Sequence, residues 1–309
     1  MTRRTIWLAS YPKSGNTWFR AVTVALIRQG PVDLNRLRAP GIGSIASSRV
    51  RMEAALGVPS SLMTHEEVDL LRPRVEEVVA QTAPARVRPD DPEAAATEAD
   101  AAGSRAQITK IHDALFPGPS GEPIVSVAAT RSAIYIVRDP RDVAVSYAHY
   151  SGWSPERAVD ALADPDYTMS SGTRRVHDQV RQRLGTWSDH VCSWLDHDFF
   201  PVHVVRYEDC ARAPVETFTT ALRFAGYDVE PADVAEAVDT VRFDRLATQE
   251  RTAGFRERPA SADRFFRRGE AGAWREELAP ELAARIEATH GHVMRRLGYP
   301  VGPDAAESA

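Results

Sequence analysis

Hydrophobic and polar positions along the chain form short apolar runs that alternate with longer amphipathic stretches. Four apolar runs predict buried strands, at Thr5–Ser10, Ile108–His112, Ala133–Val137 and Val202–Tyr207. Apolar residues at helical spacing predict helices over Thr17–Gln29, Glu66–Ala80, Arg141–Tyr150, Arg174–His197, Val215–Ala225 and Pro280–Leu297. This alternation predicts an α/β protein, a single domain over residues 1–309 with a central, mainly parallel sheet flanked by helices.

Two segments lack this periodic pattern. Residues 82–107 are rich in Ala, Pro, Arg and acidic residues, which predicts a mobile surface insertion, with a lid over a pocket as the alternative. Residues 300–309 predict a flexible tail. No stretch approaches the length of a membrane span, and the N-terminus lacks a long apolar region, so we expect neither a membrane span nor a signal peptide.

Charge and composition narrow the classes of function. The formal net charge of −5 argues against a nucleic-acid binder but allows a local basic pocket for a small anion. Cys192 and Cys210 form no metal or redox motif, so we expect a cytoplasmic protein without disulfides. The Ala- and Arg-rich composition is typical of a GC-rich bacterial genome.

Only two of the 38 basic residues are lysines, Lys13 and Lys110, and both lie in motif-like segments. An ammonium group is a compact charge that can reach one oxygen in a crowded anion site. Lys13, His112, Arg138 and Tyr207 all fall at or just past predicted strand ends. In parallel sheets, ligands bind at that edge, so these residues are predicted to share one site.

The segment Tyr11–Trp18 (YPKSGNTW) connects the first predicted strand to the first helix. Its backbone N–H groups and the side chains of Ser14, Asn16 and Thr17 can surround an anion at the helix N-terminus. The loop is P-loop-like but departs from the triphosphate pattern G-x-x-x-x-G-K-[ST], because its lysine precedes its glycine and the first glycine is missing. It therefore suits a phosphate held without a dedicated magnesium site.

Four segments, in order, resemble motifs of the sulfotransferases that use 3′-phosphoadenosine 5′-phosphosulfate (PAPS). Tyr11–Trp18 resembles the 5′-phosphosulfate-binding loop, and Thr109–His112 (TKIH) resembles the catalytic Lys-x-His segment. Tyr135–Ser146 resembles the 3′-phosphate-binding motif, and Phe266–Trp274 resembles the C-terminal Arg-Lys-Gly-x-x-Gly-Asp-Trp motif. Together these segments anchor the resemblance from residue 5 to about residue 275.

The chain departs from the family pattern at two positions of the C-terminal motif. Arg268 replaces a frequent Lys and keeps the charge, whereas Ala273 replaces a frequent Asp and removes a carboxylate. The short dimer-forming motif of the cytosolic animal members has no convincing match, so the sequence leaves the oligomeric state open.

The resemblance implies roles for individual residues. Lys13 would neutralise the leaving oxygen, Lys110 would lie near the transferring sulfuryl oxygens, and His112 would accept the acceptor's proton, since a neutral imidazole can act as a base. The implied PAPS-binding set is Lys13, Ser14, Gly15, Asn16, Thr17, Trp18, Arg138, Ser146, Tyr207, Phe243, Arg267, Arg268 and Gly269.

Within this set, two groups have distinct tasks. Arg138 and Ser146 would hold the 3′-phosphate together with the basic C-terminal motif, because a guanidinium donates two parallel hydrogen bonds to a phosphate. Trp18, Tyr207 and Phe243 would surround the adenine, where stacking on a base is worth roughly 1–3 kcal/mol.

The remaining histidines indicate no metal site. His65, His149 and His177 are weaker candidates for a role in a second part of the pocket. His290 and His292 lie on the last predicted helix and are predicted to face solvent, and their spacing lacks further plausible ligands. We therefore expect neither a metal nor a nucleic-acid partner.

The resulting prediction is sulfuryl transfer from PAPS to a hydroxyl of a small-molecule acceptor, a natural product. The alternatives are a P-loop-type kinase of adenylylsulfate or a nucleoside, and a non-catalytic nucleotide-binding protein of the same fold. Residues 31–107, Tyr150–Gly172 and Leu246–Phe265 are predicted to shape the acceptor pocket. Tyr150 and Trp153 suggest an apolar or aromatic acceptor, with packing as the alternative; phenol, aliphatic alcohol, sugar and lipid all remain open.

Overall fold

A four-stranded parallel sheet forms the centre of the protein. The structure is a computed structural model that describes residues 4–39, 41–81, 106–172 and 177–302. The sheet has the order β2-β1-β3-β6 and is built from β1 (Arg4–Ser10), β2 (Ala106–Ile111), β3 (Thr130–Val137) and β6 (Val202–Arg206). A separate antiparallel pair joins β4 (Thr168–Met169) to β5 (Gln182–Arg183). The predicted parallel sheet is confirmed.

Helices cover both faces of this sheet. Their bounds are α1 (Asn16–Arg28), α2 (Arg49–Leu56), α3 (His65–Gln81), α4 (Pro140–Ser151), α5 (Pro155–Ala163), α6 (Trp187–Leu195), α7 (Tyr207–Arg212), α8 (Pro214–Phe224), α9 (Pro231–Thr240), α10 (Phe243–Ala253), α11 (Trp274–Glu277) and α12 (Pro280–Arg296). Short 3-10 turns lie at Leu34–Arg36 and Ser60–Leu62. Asp139 caps α4 by accepting a hydrogen bond from the N–H of Arg141.

The two faces of the sheet are buried in two separate hydrophobic clusters. Successive side chains of a strand point to opposite faces, and both faces of β1 are apolar. Ile6 and Leu8 pack with Phe19 of α1 on one face. Trp7 packs on the other face, in the cluster that contains Trp187. This double burial explains why β1 reads as a continuous apolar run.

The predicted helix Arg174–His197 is wrong over residues 177–186 and 196–197. Only Trp187–Leu195 is helical, and Thr186 caps it by accepting a hydrogen bond from the N–H of Asp189. Upstream, Val180, Gln182 and Leu184 are buried at every second position, which is the period of an extended chain. Residues 173–176 lie outside the described residues.

The prediction that His290 faces solvent is also wrong. The side chain is 1% exposed, and its Nδ1 lies 2.8 Å from the Ser188 hydroxyl. Its ring contacts the Trp187 ring edge-on. His290 therefore lies on the face of α12 that packs against the core, together with Ile286. His292, two residues further, is exposed.

Two segments that were predicted to be flexible fall mainly outside the described residues. Of the predicted insertion 82–107, residues 82–105 are not described, and Ala106 and Gln107 begin β2. Of the predicted tail 300–309, residues 303–309 are not described. Pro300 and Gly302 are held in place, because the Pro300 carbonyl accepts from Arg141 and the Gly302 N–H donates to Glu287.

Candidate functional site

A cavity of about 970 Å³ opens at the carboxyl edge of the sheet. Residues that follow four strands line it, with Lys13 after β1, His112 after β2, Arg138 after β3 and Tyr207 after β6. The parallel strands all end at this edge, so their following loops converge there. Of the predicted site residues, the cavity is lined by Lys13, Gly15, Asn16, Thr17, Trp18, Lys110, His112, Arg138, Ser146, Tyr207, Phe243, Arg267 and Gly269.

The loop between β1 and α1 has an unusual backbone. Lys13 has φ 71° and Gly15 has φ 108°, so two residues of the loop adopt left-handed conformations. A Cβ on Gly15 would lie 2.7 Å from the Tyr207 ring, which requires a residue without a side chain. Asn16 donates its amide to the Leu8 carbonyl and ties the start of α1 back to β1. Asn16, Thr17 and Trp18 of the first helical turn line the cavity, so the N-terminus of α1 borders it.

Two buried donors at this loop fit an anionic ligand. The Ser14 hydroxyl and Arg138 Nε are buried and have no hydrogen-bond partner among the described residues. Arg138 Nη2 donates to the Glu270 carbonyl at 2.8 Å, and its guanidinium lies 4.2 Å from the centre of the Tyr207 ring. Buried donors without partners are rare, because they lose hydration without compensation. Arg138 lines the cavity, so an oxyanion bound there would supply the acceptor that its Nε lacks.

The Lys13 ammonium lies between two aromatic rings. Its Nζ is 4.2 Å from the centre of the Tyr150 ring and 4.0 Å from that of Phe265. Burial, followed by the positive charges of Arg138 and Lys110, lowers the pKa of Lys13 to about 7. Lys13 therefore changes its charge near neutral pH unless an anion stabilises the ammonium.

Lys110 forms an ion pair that the sequence did not predict. Its Nζ lies 3.3 Å from Glu257 Oε2, and the other carboxylate oxygen of Glu257 lies 2.7 Å from Arg20 Nη1. Burial raises the pKa of Glu257, but Lys110 and Arg20 outweigh it and lower the pKa to about 2. Burial also lowers the pKa of Lys110, and Glu257 opposes this change. All three side chains line the cavity.

The tautomer of His112 follows from its contacts. Nδ1 lies 2.8 Å from the Ser10 carbonyl oxygen, which can only accept, so Nδ1 carries the proton. Nε2 is then the unprotonated nitrogen. Burial and the nearby charge of Lys110 lower the pKa of His112 to about 3, so the ring is neutral at physiological pH.

A second histidine supports the first and was not predicted. His190 Nε2 donates to the His112 carbonyl at 2.9 Å, and His190 Nδ1 accepts from the Tyr135 hydroxyl at 2.8 Å. Both rings are buried, and burial lowers the pKa of His190 to about 4. The chain of hydrogen bonds fixes the backbone from which His112 projects.

Aromatic residues form the wall around Tyr207. The Trp18 and Tyr207 rings meet edge-on with centroids 6.0 Å apart. The Tyr207 hydroxyl donates to the Gly269 carbonyl at 2.9 Å. A Cβ on Gly269 would lie 2.2 Å from the Phe243 ring, so the C-terminal motif and Phe243 are in close contact.

Asp142 ties the C-terminal motif to the start of α4. Its carboxylate accepts from the N–H of Gly272 at 2.7 Å and from the N–H of Trp274 at 2.9 Å.

Arg267 lines the cavity and lies 2.7 Å from Glu277. Arg268 points elsewhere: it is not among the lining residues and forms ion pairs with three carboxylates, Glu270, Glu276 and Glu277. Ser14 is also not a lining residue.

Residues predicted for the acceptor side separate into two groups. Tyr150 lines the cavity, whereas Trp153 packs on Tyr147 with ring centroids 5.4 Å apart. His65, His149 and His177 are not lining residues. Within the described ranges no cluster of His, Cys, Asp or Glu could hold a metal ion.

Similarity to known proteins agrees with this arrangement. The family model for the sulfotransferase domain matches residues 123–298. Cytosolic sulfotransferase 16 of Arabidopsis thaliana is 26% identical over 296 residues, covering 91% of this chain and 73% of the relative. Sulfotransferase 1A1 of Canis lupus familiaris is 24% identical over 298 residues, covering 94% of this chain and 83% of the relative.

Solved structures share the fold. A crystal structure of mouse sulfotransferase SULT7A1 complexed with PAP has a TM-score of 0.56 and 19% identity, covering 94% of this chain and 85% of that chain. Retinol dehydratase in complex with androsterone and inactive cofactor PAP has a TM-score of 0.54 and 18% identity, covering 94% and 80%. No helix in the described part of the chain is long and apolar enough to cross a membrane. The chain belongs to the sulfotransferase domain family and is an enzyme of the PAPS-dependent class that its motifs resemble.

Proposed function

We propose that the protein transfers the sulfuryl group of PAPS to a hydroxyl of a small-molecule acceptor, a natural product, with His112 as the general base. The observation that carries this proposal is the convergence of Lys13, Lys110 and His112 on one cavity at the ends of neighbouring parallel strands. Sulfuryl transfer needs positive charge at the leaving oxygen and a base at the acceptor, and these residues supply both.

His112 has the tautomer that a base requires. Because Nδ1–H donates to the Ser10 carbonyl, Nε2 is left to accept the proton of the acceptor hydroxyl. The low pKa of the ring keeps Nε2 unprotonated at neutral pH. The negative charge of a bound donor would raise that pKa again, since opposite charge favours the imidazolium, and so would strengthen the base when the site is filled.

The two lysines act on the electrophilic side of the reaction. Lys13 lies in the loop predicted for the phosphosulfate and would neutralise the oxygen that leaves with the nucleotide. Lys110 is two residues from His112 and would stabilise the transferring group. In the proposed reaction the acceptor oxygen forms a bond to sulfur as the sulfur–oxygen bond to the phosphate breaks. Positioning and charge stabilisation would supply most of the rate, by analogy with phosphoryl transfer.

The residues around the β1–α1 loop fit the nucleotide donor. Arg138 lines the cavity, and its Nε is a buried donor that an oxyanion would satisfy. Ser146, Arg267 and Gly269 line the same cavity and would bind the 3′-phosphate. PAPS would supply the activated sulfuryl group, and the chain would supply binding, orientation and the proton acceptor. Arg268 would contribute through its charge, since its side chain is engaged by the acidic residues of its own segment.

The neighbouring structures support a small hydroxylated acceptor. One contains androsterone and another contains retinol, each with PAP. Both compounds carry a hydroxyl on an apolar body. The cavity of this chain has Tyr150 and Phe265 beside Lys13, which provides apolar surface next to the reacting centre.

Transfer of labelled sulfate from PAPS to a panel of hydroxylated compounds tests the proposal. We expect transfer without added divalent metal and near-total loss in His112→Ala and Lys13→Ala. The control His292→Ala removes an exposed histidine of α12 and should keep full activity. Full activity in both site variants would refute the residue assignments. Magnesium-dependent ATP consumption without PAPS binding would favour the kinase alternative, and PAP binding without turnover would favour the non-catalytic one.

A further inference from the structure

The order of the strands divides the cavity into two sides. The loop after β1 and Arg138 after β3 lie on the side predicted for the nucleotide. The other side lies over β2 and extends beyond the sheet edge, where the Gly43 N–H donates to the Ile108 carbonyl at 2.7 Å and the Ala46 N–H donates to the Lys110 carbonyl at 2.8 Å. The acceptor would bind over β2, because His112 directly follows that strand.

The acceptor side carries an excess of positive charge. Arg20, Lys110 and Glu257 line the cavity and form the ion-pair network described above. Two further guanidinium groups, those of Arg38 and Arg256, also line the cavity, and both residues are exposed. Within the part of the chain that the structure describes, neither of these two side chains forms an ion pair. Among the described residues that line the cavity, Glu257 is the one carboxylate, and Arg20, Lys110, Arg38 and Arg256 have no other acidic partner, whereas Arg258 pairs with Glu250 outside the cavity.

Glu257 does not offer a site for a cationic acceptor. Both of its carboxylate oxygens are engaged, one by Arg20 and the other by Lys110. Arg20 Nε is buried and lacks a hydrogen-bond partner among the described residues, so the network retains a free donor. A buried guanidinium N–H without a partner favours a ligand that accepts hydrogen bonds.

Hydrogen bonds link the two segments that carry the exposed arginines. The side-chain oxygen of Asn35 accepts from the Arg256 N–H at 2.8 Å, and its amide donates to the Gly254 carbonyl at 3.1 Å. Gln249 of α10 donates to the Val32 carbonyl at 2.9 Å. The segment that precedes Arg38 is thus attached to the loop that contains Arg256.

We propose that the acceptor carries an oxyanion group, of carboxylate type, separate from the hydroxyl that receives the sulfuryl group, and that Arg20, Arg38 and Arg256 bind it. This inference rests on the proposed sulfuryl transfer and specifies its acceptor class. Arginine suits the task because its planar fork donates two hydrogen bonds to a carboxylate. The preference should weaken with added salt, because exposed charges are screened within about 10 Å at 0.1 M ionic strength.

Three matched phenols test the proposal: 4-hydroxyphenylacetate, its amide 4-hydroxyphenylacetamide, and tyramine. Their binding to the PAP-loaded protein is measured by calorimetry, and their kcat/KM is measured with PAPS. We expect the acid to bind at least about tenfold more tightly than the amide and to be the best substrate, and tyramine to be the worst. The double variant Arg38→Ala/Arg256→Ala should lose this preference and change the affinity for the amide less than about twofold.

Arg36→Ala is the matched control, because Arg36 lies two residues from Arg38, pairs with Asp33 and does not line the cavity. It should keep the preference for the acid. Equal binding of acid and amide, stronger binding of tyramine, no binding of any of the three, or a preference that persists in the double variant would overturn the proposal. Binding is measured without transfer, so a preference for the acid in a protein that transfers no label would refute the sulfuryl-transfer proposal and leave the anion site intact.

Discussion

Lys110 and Glu257 form an ion pair of 3.3 Å inside the cavity, although 147 residues separate them in the chain. The same carboxylate binds Arg20 of α1 at 2.7 Å. Glu257 therefore connects the strand that precedes the proposed base to the helix that begins at the proposed phosphate loop. Its charge also favours the protonated form of Lys110, against the effect of burial.

Replacing Glu257 by Gln should shift the pH dependence of turnover. Without the carboxylate the pKa of Lys110 falls further, so the ammonium loses its proton at lower pH and activity is lost from the alkaline side. The loss of kcat should be larger at high pH than at low pH, and at high pH it should be about tenfold, which corresponds to one charged hydrogen bond of ~1.5 kcal/mol. The pH profile of kcat checks this, with Glu66→Gln, in an exposed pair with Arg181, as the control. A loss equal at every pH would contradict the electrostatic role.

Lys13→Arg should separate affinity from turnover. The pKa of Lys13 in the free protein is about 7, so above that pH the wild-type protein must gain a proton to bind the donor as an ammonium. The Kd for PAPS should therefore rise with pH between 7 and 9, by up to about tenfold per pH unit, whereas an arginine stays charged and removes this dependence.

Any titration of PAPS itself changes the Kd of wild type and of Lys13→Arg equally, so the difference between their pH curves reports on Lys13. At pH 7 the Kd of the variant for PAPS should be within a few-fold of that of wild type. Its kcat should be at least about tenfold lower, because a planar guanidinium cannot place its charge on a single oxygen as a compact ammonium does. Parallel pH curves for the two proteins would show that Lys13 does not titrate in this range. Unchanged turnover would show that Lys13 does not stabilise the leaving oxygen in the reaction.

Asp142→Ala should loosen the C-terminal motif. The substitution removes two charge-assisted hydrogen bonds, to the N–H groups of Gly272 and Trp274. We expect a loss of ~3 kcal/mol in the free energy of unfolding, seen as a fall of roughly 5–10 °C in Tm by calorimetry. The control Asp160→Ala removes an exposed pair with Arg285 and should change Tm little. Equal Tm changes in both variants would show that Asp142 does not anchor the motif.

Gly269→Ala should weaken nucleotide binding more than Gly272→Ala. Both glycines have positive φ, 70° and 82°, so each substitution strains the backbone by about 1 kcal/mol. Only the new Cβ at position 269 would meet an aromatic ring, at 2.2 Å from Phe243, whereas the one at position 272 meets the mobile end of Arg275.

Fluorescence or calorimetric titration with PAP checks this difference. Both variants should lower Tm, because each strains a backbone with positive φ, and only Gly269→Ala should raise the Kd for PAP, by about tenfold. Similar affinities for PAP in the two variants would place Phe243 outside the nucleotide site.

The local pattern of the sequence identified the elements that carry the motifs. A strand buried on both faces reads as an apolar run, and a cap such as Asp139 marks where α4 begins. The segment Arg174–His197 shows the limit of this reasoning, because its buried positions alternate at the period of an extended chain before the helix begins at Trp187. His290 shows the same limit, since only packing against α6 decides which face of α12 is buried.

The sequence also placed Lys13, His112, Arg138 and Tyr207 at the edge of a sheet, since residues that follow parallel strands must converge there. The sequence could not show that Glu257 joins Lys110 to Arg20, or that the Ser10 carbonyl sets the tautomer of His112. These contacts join segments more than a hundred residues apart and have no local signal. The types of chemical group were thus determined by the sequence, whereas their charge states and partners depend on burial and long-range contacts that only the folded chain creates.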